Sequence, residues 1–168
     1  MNTELRQVTL TQDMYASNGQ RFANYIIDTI VLYILMMIVL VILMITLGDA
    51  VIDPISGEPT LLATYGTLFL VGMGYYTFFE AQFSKTIGKF ITKTMVVTSD
   101  GRKVSTNHCA HRSICRFIPF DALSFLGSSG SGWHDRISDT AVVKVAEYEN
   151  ALEIQSSFNE IGQAEDRV

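Results

Sequence analysis

Charge is scarce in this chain: only 17% of its 168 residues are Asp, Glu, Lys or Arg, against about a quarter in an average soluble domain. Hydrophobic residues make up 48% and the mean hydropathy is +0.26. That composition excludes intrinsic disorder for most of the chain and speaks against an ordinary soluble domain. A basic excess is also missing. The net charge is −5 and the pI is near 5.1, so no nucleic-acid partner is expected. Cys109 and Cys115 are the two cysteines, too few for a disulfide framework. The length fits one domain at most.

The apolar residues are concentrated. Residues 29–47 form a run of nineteen without one charge, TIVLYILMMIVLVILMITL, and 61–79 form a second, LLATYGTLFLVGMGYYTFF. At 1.5 Å per residue each helix reaches roughly 28 Å, close to the ~30 Å hydrocarbon core of a bilayer. The first run follows twenty mostly polar residues, is too long for a signal-peptide core and lacks a small-residue cleavage pattern. Both runs are therefore expected to be retained as transmembrane helices, over about 22–47 and 61–80.

The segment between them, 48–60, contains Asp49, Asp53 and Glu58 and neither Lys nor Arg. Of the twelve basic residues, Arg6 and Arg21 precede the first run and ten follow the second. The positive-inside rule then puts the connection outside and both termini in the cytoplasm, giving a multi-pass protein of the cell membrane. Tyr75, Tyr76, Phe78 and Phe79 cluster at the inner end of the second run, as an aromatic belt would. Gly66, Gly72 and Gly74 suit close approach of a neighbouring helix.

Arg21, Asn24, Tyr25 and Asp28 are spaced i, i+3, i+4 and i+7, which places them on one helical face leading into the first span. Asp28 stands where the uncharged run begins, and antiparallel geometry brings Glu80 to a similar depth. A carboxylate facing lipid costs about 2.5–3.5 kcal/mol at the bilayer centre and less near its edge. Asp28 is therefore expected to face protein or water with a partner. Arg21 is the nearest in sequence, and Arg112 and Arg116 are the others. Two readings remain open: a structural ion-pair network, or a carboxylate site for a proton or small cation.

After the second span, the β-branched stretch 90–98, the turn signal Asp100-Gly101 and the segment 102–106 predict a β-hairpin over about 90–106. Lys85, Lys89 and Lys93 are expected at the inner membrane surface, as lipid-facing basic residues or as positive-inside determinants. Thr86-Ile87-Gly88-Lys89 lacks the spacing of a phosphate-binding loop. Residues 107–126 predict an interfacial or re-entrant helix with Arg112 and Arg116 one turn apart, Ala110, Ile114, Phe117 and Ile118 on the apolar side, and a break at Pro119. A third span is the alternative. Gly127 to Gly132, GSSGSG, reads as a flexible linker. Residues 140–145 predict a closing strand able to join the hairpin, and 146–168 an acidic tail, solvated or a frayed helix.

His108, Cys109, His111 and Cys115 offer two helical pairings, but a closed four-ligand zinc set has no second half here. Neither cysteine has a base and an orienting group beside it, and Cys115 reads as an apolar packing residue. Neither a metal, a cofactor nor an enzymatic activity is expected.

Several separated motifs resemble the RDD family of prokaryotic membrane proteins, named for one arginine and two aspartates. Arg21 and Asp28 resemble its first arginine and aspartate. Lys85-Thr86-Ile87-Gly88-Lys89 is similar to its post-span Thr-x-Gly-Lys element, and Ser99-Asp100-Gly101 to its turn. Arg112 and Arg116 before Pro119 resemble its arginine-rich third segment. His134-Asp135 followed by Thr140-Ala141-Val142-Val143 resembles its closing motif, which makes Asp135 the second aspartate. The resemblance covers roughly residues 17–145. It implies a transport role, with sodium/proton exchange associated with some members.

The fold expected is thus a membrane all-α hairpin of two transmembrane helices plus an interfacial or re-entrant helix, with a small cytoplasmic β element. A charged cluster of Arg21, Asp28, Glu80, Arg112, Arg116, His134 and Asp135 is expected at the cytoplasmic edge. Two spans enclose no pathway, so transport implies a homo-oligomer or a partner membrane protein. A membrane anchor or assembly factor, with the cluster as a structural latch, is the alternative.

Overall fold

The computed structural model describes residues 7–48, 52–53, 58–118, 121–124 and 132–165, with side chains at 122–123 and 159–165 excepted. Helix α1 spans Asn18–Leu47. It opens with a capping box in which the Ser17 hydroxyl accepts from the Gln20 N–H and the Gln20 side chain accepts from the Ser17 N–H, so two otherwise orphaned donors are satisfied. Its thirty residues give about 45 Å, longer than a hydrocarbon core. The surplus is the first turns, where Arg21, Asn24 and Asp28 are buried. Farther along, Ile30, Ile34, Ile38, Ile42 and Ile45 are exposed, and α1 is long and apolar enough to cross a membrane.

Helix α2, Leu61–Phe83, starts at Thr60, whose hydroxyl accepts from the Ala63 N–H. Tyr75, late in α2, reaches Asp28, early in α1, so the two helices run antiparallel. Ser84 ends α2 in the left-handed region at φ 55°. The chain then enters a short helix, α3, Ile87–Thr92, capped by the Thr86 hydroxyl. Lys93, at φ 56°, turns it into strand β1, Thr94–Thr98.

The sheet departs from the expected hairpin. Residues 87–92 are helical, and the partner of β1 is the distant strand β2, Thr140–Lys144, in antiparallel register from Thr94 opposite Lys144 to Thr98 opposite Thr140. The Asp100-Gly101 turn forms, with the Gly101 N–H donating to the Thr98 carbonyl. Its return arm, however, contributes one bridge, between Val97 and Lys103. The reason lies in packing. Gly101 has φ +72° and sits so close to Val8 that a Cβ would fall 1.8 Å from the Val8 carbonyl oxygen. The N-terminal segment therefore occupies the space beside the turn, and it also bridges β2 through Tyr15 and Val143.

Alternate residues of β1 feed two cores, as strand geometry dictates. Val97 joins Val8, Met14, Ala141, Val143 and Tyr148, while Val96 joins Val104 and Cys109 against Ala81 of α2. Helix α4, Thr106–Cys115, packs on α2. Two short helices follow, α5 (Asp121–Ser124) and α6 (Trp133–Ile137). Within 107–126 the helix α4 ends at Cys115, just ahead of the break expected at Pro119, and α5 follows. Pro119 and residues 127–131 of the Gly/Ser linker lie outside the described residues. Helix α7, Val145–Glu165, occupies most of the expected acidic tail, and Tyr148, Ala151 and Leu152 seat it on the first core.

Candidate functional site

The start of α1 and the end of α2 are joined to α3, α4 and α6 by buried charges. Glu80 is 0% exposed and accepts from three cations: Lys89 Nζ at 2.9 Å, Arg112 Nε at 3.1 Å and Arg116 Nη2 at 3.1 Å. Arg112, also fully buried, turns its Nη1 to Asp135 and to the Thr140 hydroxyl. Asp135 receives Arg21 on its other oxygen, together with the Gly132 N–H. Arg112 therefore spans two carboxylates on different helices, a task suited to a planar fork of donors. The Arg116 guanidinium lies 4.1 Å from the centroid of the Tyr76 ring, which holds it by a cation–π contact.

Asp28 sits beside this network but pairs with neutral donors. Its Oδ1 accepts from the Tyr75 hydroxyl at 2.7 Å and the Gly88 N–H at 2.8 Å, and its Oδ2 from the Thr86 hydroxyl at 2.6 Å. Gly88 permits this approach, because a Cβ there would fall 2.7 Å from the Asn24 carbonyl oxygen. Asn24 ties the same face of α1 to the sheet through Thr94 and to the end of α3 through Thr92.

His134 Nδ1 lies 2.6 Å from Asp121 Oδ2, and the His134 backbone N–H donates to Asp121 Oδ1. Burial pulls the imidazole below its usual value, against the opposing pull of Asp135. The other ring nitrogen, Nε2, lies 3.4 Å from Asp135 Oδ1. For Asp135, burial alone favours the neutral acid, but Arg112, His134 and Arg21 outweigh it and hold the carboxyl well below the usual range. Burial pushes the Cys109 thiol up to about 11 and also raises Cys115, so both are thiols at neutral pH. Among the described residues, no group of three or more His, Cys, Asp or Glu side chains is placed to hold a metal ion.

Of the residues singled out in the sequence, Arg21, Glu80, Arg112, Arg116, His134 and Asp135 converge, with Asp28 alongside. Two expectations are corrected. Arg21 contacts Asp135, and the direct partners of Asp28 are hydroxyls and an amide. Lys89 does not face lipid. It is 2% exposed, on Glu80, because α3 starts at Thr86 and turns this position inward. Lys93 is exposed and Lys85 half-buried, with its ammonium 5.6 Å from the Phe90 ring centroid. Tyr75, Thr86, Gly88, Asp121 and Thr140 complete the site and are not among the charges read from the sequence. The Thr-x-Gly-Lys element was the available signal for Thr86, Gly88 and Lys89.

A cavity of about 320 Å³ opens beside the cluster, with Arg21, Asp28, Arg112 and Arg116 in its wall and Leu32 and Leu68 farther along.

The chain is mostly helical, and one helix, α1, is long and apolar enough to cross a membrane and is rooted in this cluster. The chain belongs to the RDD family, whose family model matches residues 15–139. Neither a curated protein nor a solved structure matches it.

Proposed function

We propose that this protein is a two-span integral membrane protein of the cell membrane, and that its charge cluster latches a cytoplasmic module onto the inner end of the hairpin. The observation that carries this reading is Arg112, fully buried between Glu80 of α2 and Asp135 of α6. Removing one member of such a network leaves an unpaired buried charge, so it holds elements in one arrangement. The apolar, outward-facing length of α1 and the acidic 48–60 connection support the topology, with both termini cytoplasmic.

Single cysteines in a Cys109→Ala/Cys115→Ala background test the topology. A membrane-impermeant maleimide is expected to label position 58 in intact cells, and position 153 only after the membrane is opened. Labelling of position 58 from the cytoplasm alone refutes the orientation. The latch is tested by limited proteolysis of purified protein. Arg112→Met is expected to release the module to cleavage while α1 and α2 stay membrane-bound. Unchanged protection refutes the latch.

A second reading is favoured by the cavity beside Asp28. The protein is then part of a transport assembly for a proton or small cation, completed by further copies or a partner membrane protein. Reconstituted protein with a cation-dependent proton flux that is lost in Asp28→Asn supports this reading. Flux unaltered by that change removes Asp28 from it.

A further inference from the structure

The cavity between α1, α2 and α4 has two unlike ends. At one end stand Arg21, Lys89, Arg112 and Arg116, with Asp28, Asp121 and His134 in the same wall, while Glu80 and Asp135, which pair with the cations, are not part of the lining. At the other end are Leu32 and Tyr33 of α1, Leu68 of α2 and Phe117. The apolar end lies one to two turns farther along α1 than Asp28, in the direction of the exposed isoleucines.

Donors remain at the cationic end. Arg112 is 0% exposed, yet its Nη2 has no hydrogen-bond partner, and neither has the buried Nε of Arg116. A buried guanidinium N–H without an acceptor forfeits the hydrogen bond it had with water. The carboxylates in the wall do not supply the acceptor. Asp28 takes three neutral donors and Asp121 takes His134. The volume of about 320 Å³ falls at the lower end of the ~300–1,000 Å³ range of small-molecule sites.

We propose that this cavity binds the phosphate group of a phospholipid from the cytoplasmic leaflet, with Arg112 and Arg116 on the phosphate oxygens and the start of an acyl chain along Leu32 and Leu68. Phosphate oxygens are the acceptors that arginine forks match, and basic pockets between spans on the cytoplasmic side take lipid headgroups. The inference rests on the membrane reading of α1 and α2. A free phosphate ion shares the headgroup chemistry, but it would leave the apolar half of the cavity unfilled.

The full chain in maltoside micelles is titrated with three probes: dihexanoyl-phosphatidylglycerol, dihexanoylglycerol, and inorganic phosphate. Binding is read by calorimetry. The phospholipid is expected to bind at least about tenfold more tightly than either of the others, since each lacks one half of the recognised molecule. Inorganic phosphate binding as tightly as the phospholipid overturns the lipid assignment. Equal binding of dihexanoylglycerol, or no binding of the phospholipid, overturns the site.

Two variants locate the site. Arg116→Lys keeps a charge for Glu80 but removes the Nε–H, and Leu32→Trp fills the apolar end without touching a charge. Each is expected to weaken phospholipid binding by about tenfold or more, with the elution profile of the folded protein retained. Unchanged affinity in both overturns the proposal. Resistance of the protein to alkaline extraction from membranes is measured separately. Failed binding by a protein that stays in the bilayer then counts against this inference alone.

Discussion

Arg112 and Asp135 meet with both side chains fully buried, although one stands on α4 and the other on α6. The same guanidinium reaches Glu80 on α2. Arg112→Met is expected to destabilise the protein by about 3–5 kcal/mol, because two carboxylates lose a buried partner at once. Arg112→Lys should recover only part of that loss, since an ammonium lacks the fork that spans both acceptors. Thermal unfolding in detergent, followed by the fluorescence of Trp133, checks both values.

Tyr75 donates to Asp28 and accepts from the Ile87 N–H. Tyr75→Phe removes both bonds and leaves a buried carboxylate oxygen and a backbone donor with one partner fewer. A loss of about 1–3 kcal/mol is expected. Asp28→Asn should cost a similar amount, because an amide nitrogen would replace one of two accepting oxygens. If both variants melt with the parent protein, the Asp28 hydrogen-bond set does not stabilise the fold.

Gly88→Ala tests the contact between α1 and α3. The added methyl would meet the Asn24 carbonyl oxygen at 2.7 Å and Asn24 Cα at 3.0 Å. Both are helix backbone and cannot swing aside. Overpacking of about 1–3 kcal/mol is expected, with α3 displaced and Lys89 drawn from Glu80. Faster amide exchange over residues 86–92 would report the displacement, and unchanged exchange would refute it.

Acid should weaken the protein in two stages. His134 has its folded value lowered by burial, so protonation favours the unfolded chain once the pH drops below the unfolded histidine value of about 6.5. Asp135 is held well below the usual range when folded. Its contribution is complete above the unfolded aspartate value of about 3.9 and is lost as the pH falls farther toward its folded value. His134→Gln is expected to flatten the first stage and leave the second. Melting temperatures across pH 7.5 to about 2 distinguish the two.

Much of the helical framework was legible in the sequence, and so were the two strand segments, within 90–98 and 140–145, but not that they pair directly in place of a local hairpin. The uncharged run 29–47 marks α1 because its length and composition have few other structural outcomes. The convergence of Arg21, Glu80, Arg112 and Asp135 was foreseeable as a group, since charges next to apolar helices need company. Which charge meets which was not: Arg21 lies on the same helix as Asp28 yet bonds Asp135, and only tertiary geometry decides that. The turn signal at Asp100-Gly101 marks a reversal without fixing how far the returning arm pairs, and the closing strand expected to join this element is the one that pairs along the length of β1. Lys89 read as a surface residue because Lys85, Lys89 and Lys93 recur every four residues. In α7, acidic composition masked Tyr148, Ala151 and Leu152, whose i, i+3, i+4 spacing carries the packing face.

The bond between Arg21 and Asp135 closes across 114 positions of chain. A ribosome delivers the first of these residues long before the second. Until then Arg21, the cation of α1, is without the carboxylate it meets in the folded protein. The Arg21–Asp135 bond therefore forms only once the chain up to Asp135 has been delivered, and a nascent chain cut before that point leaves Arg21 without this carboxylate.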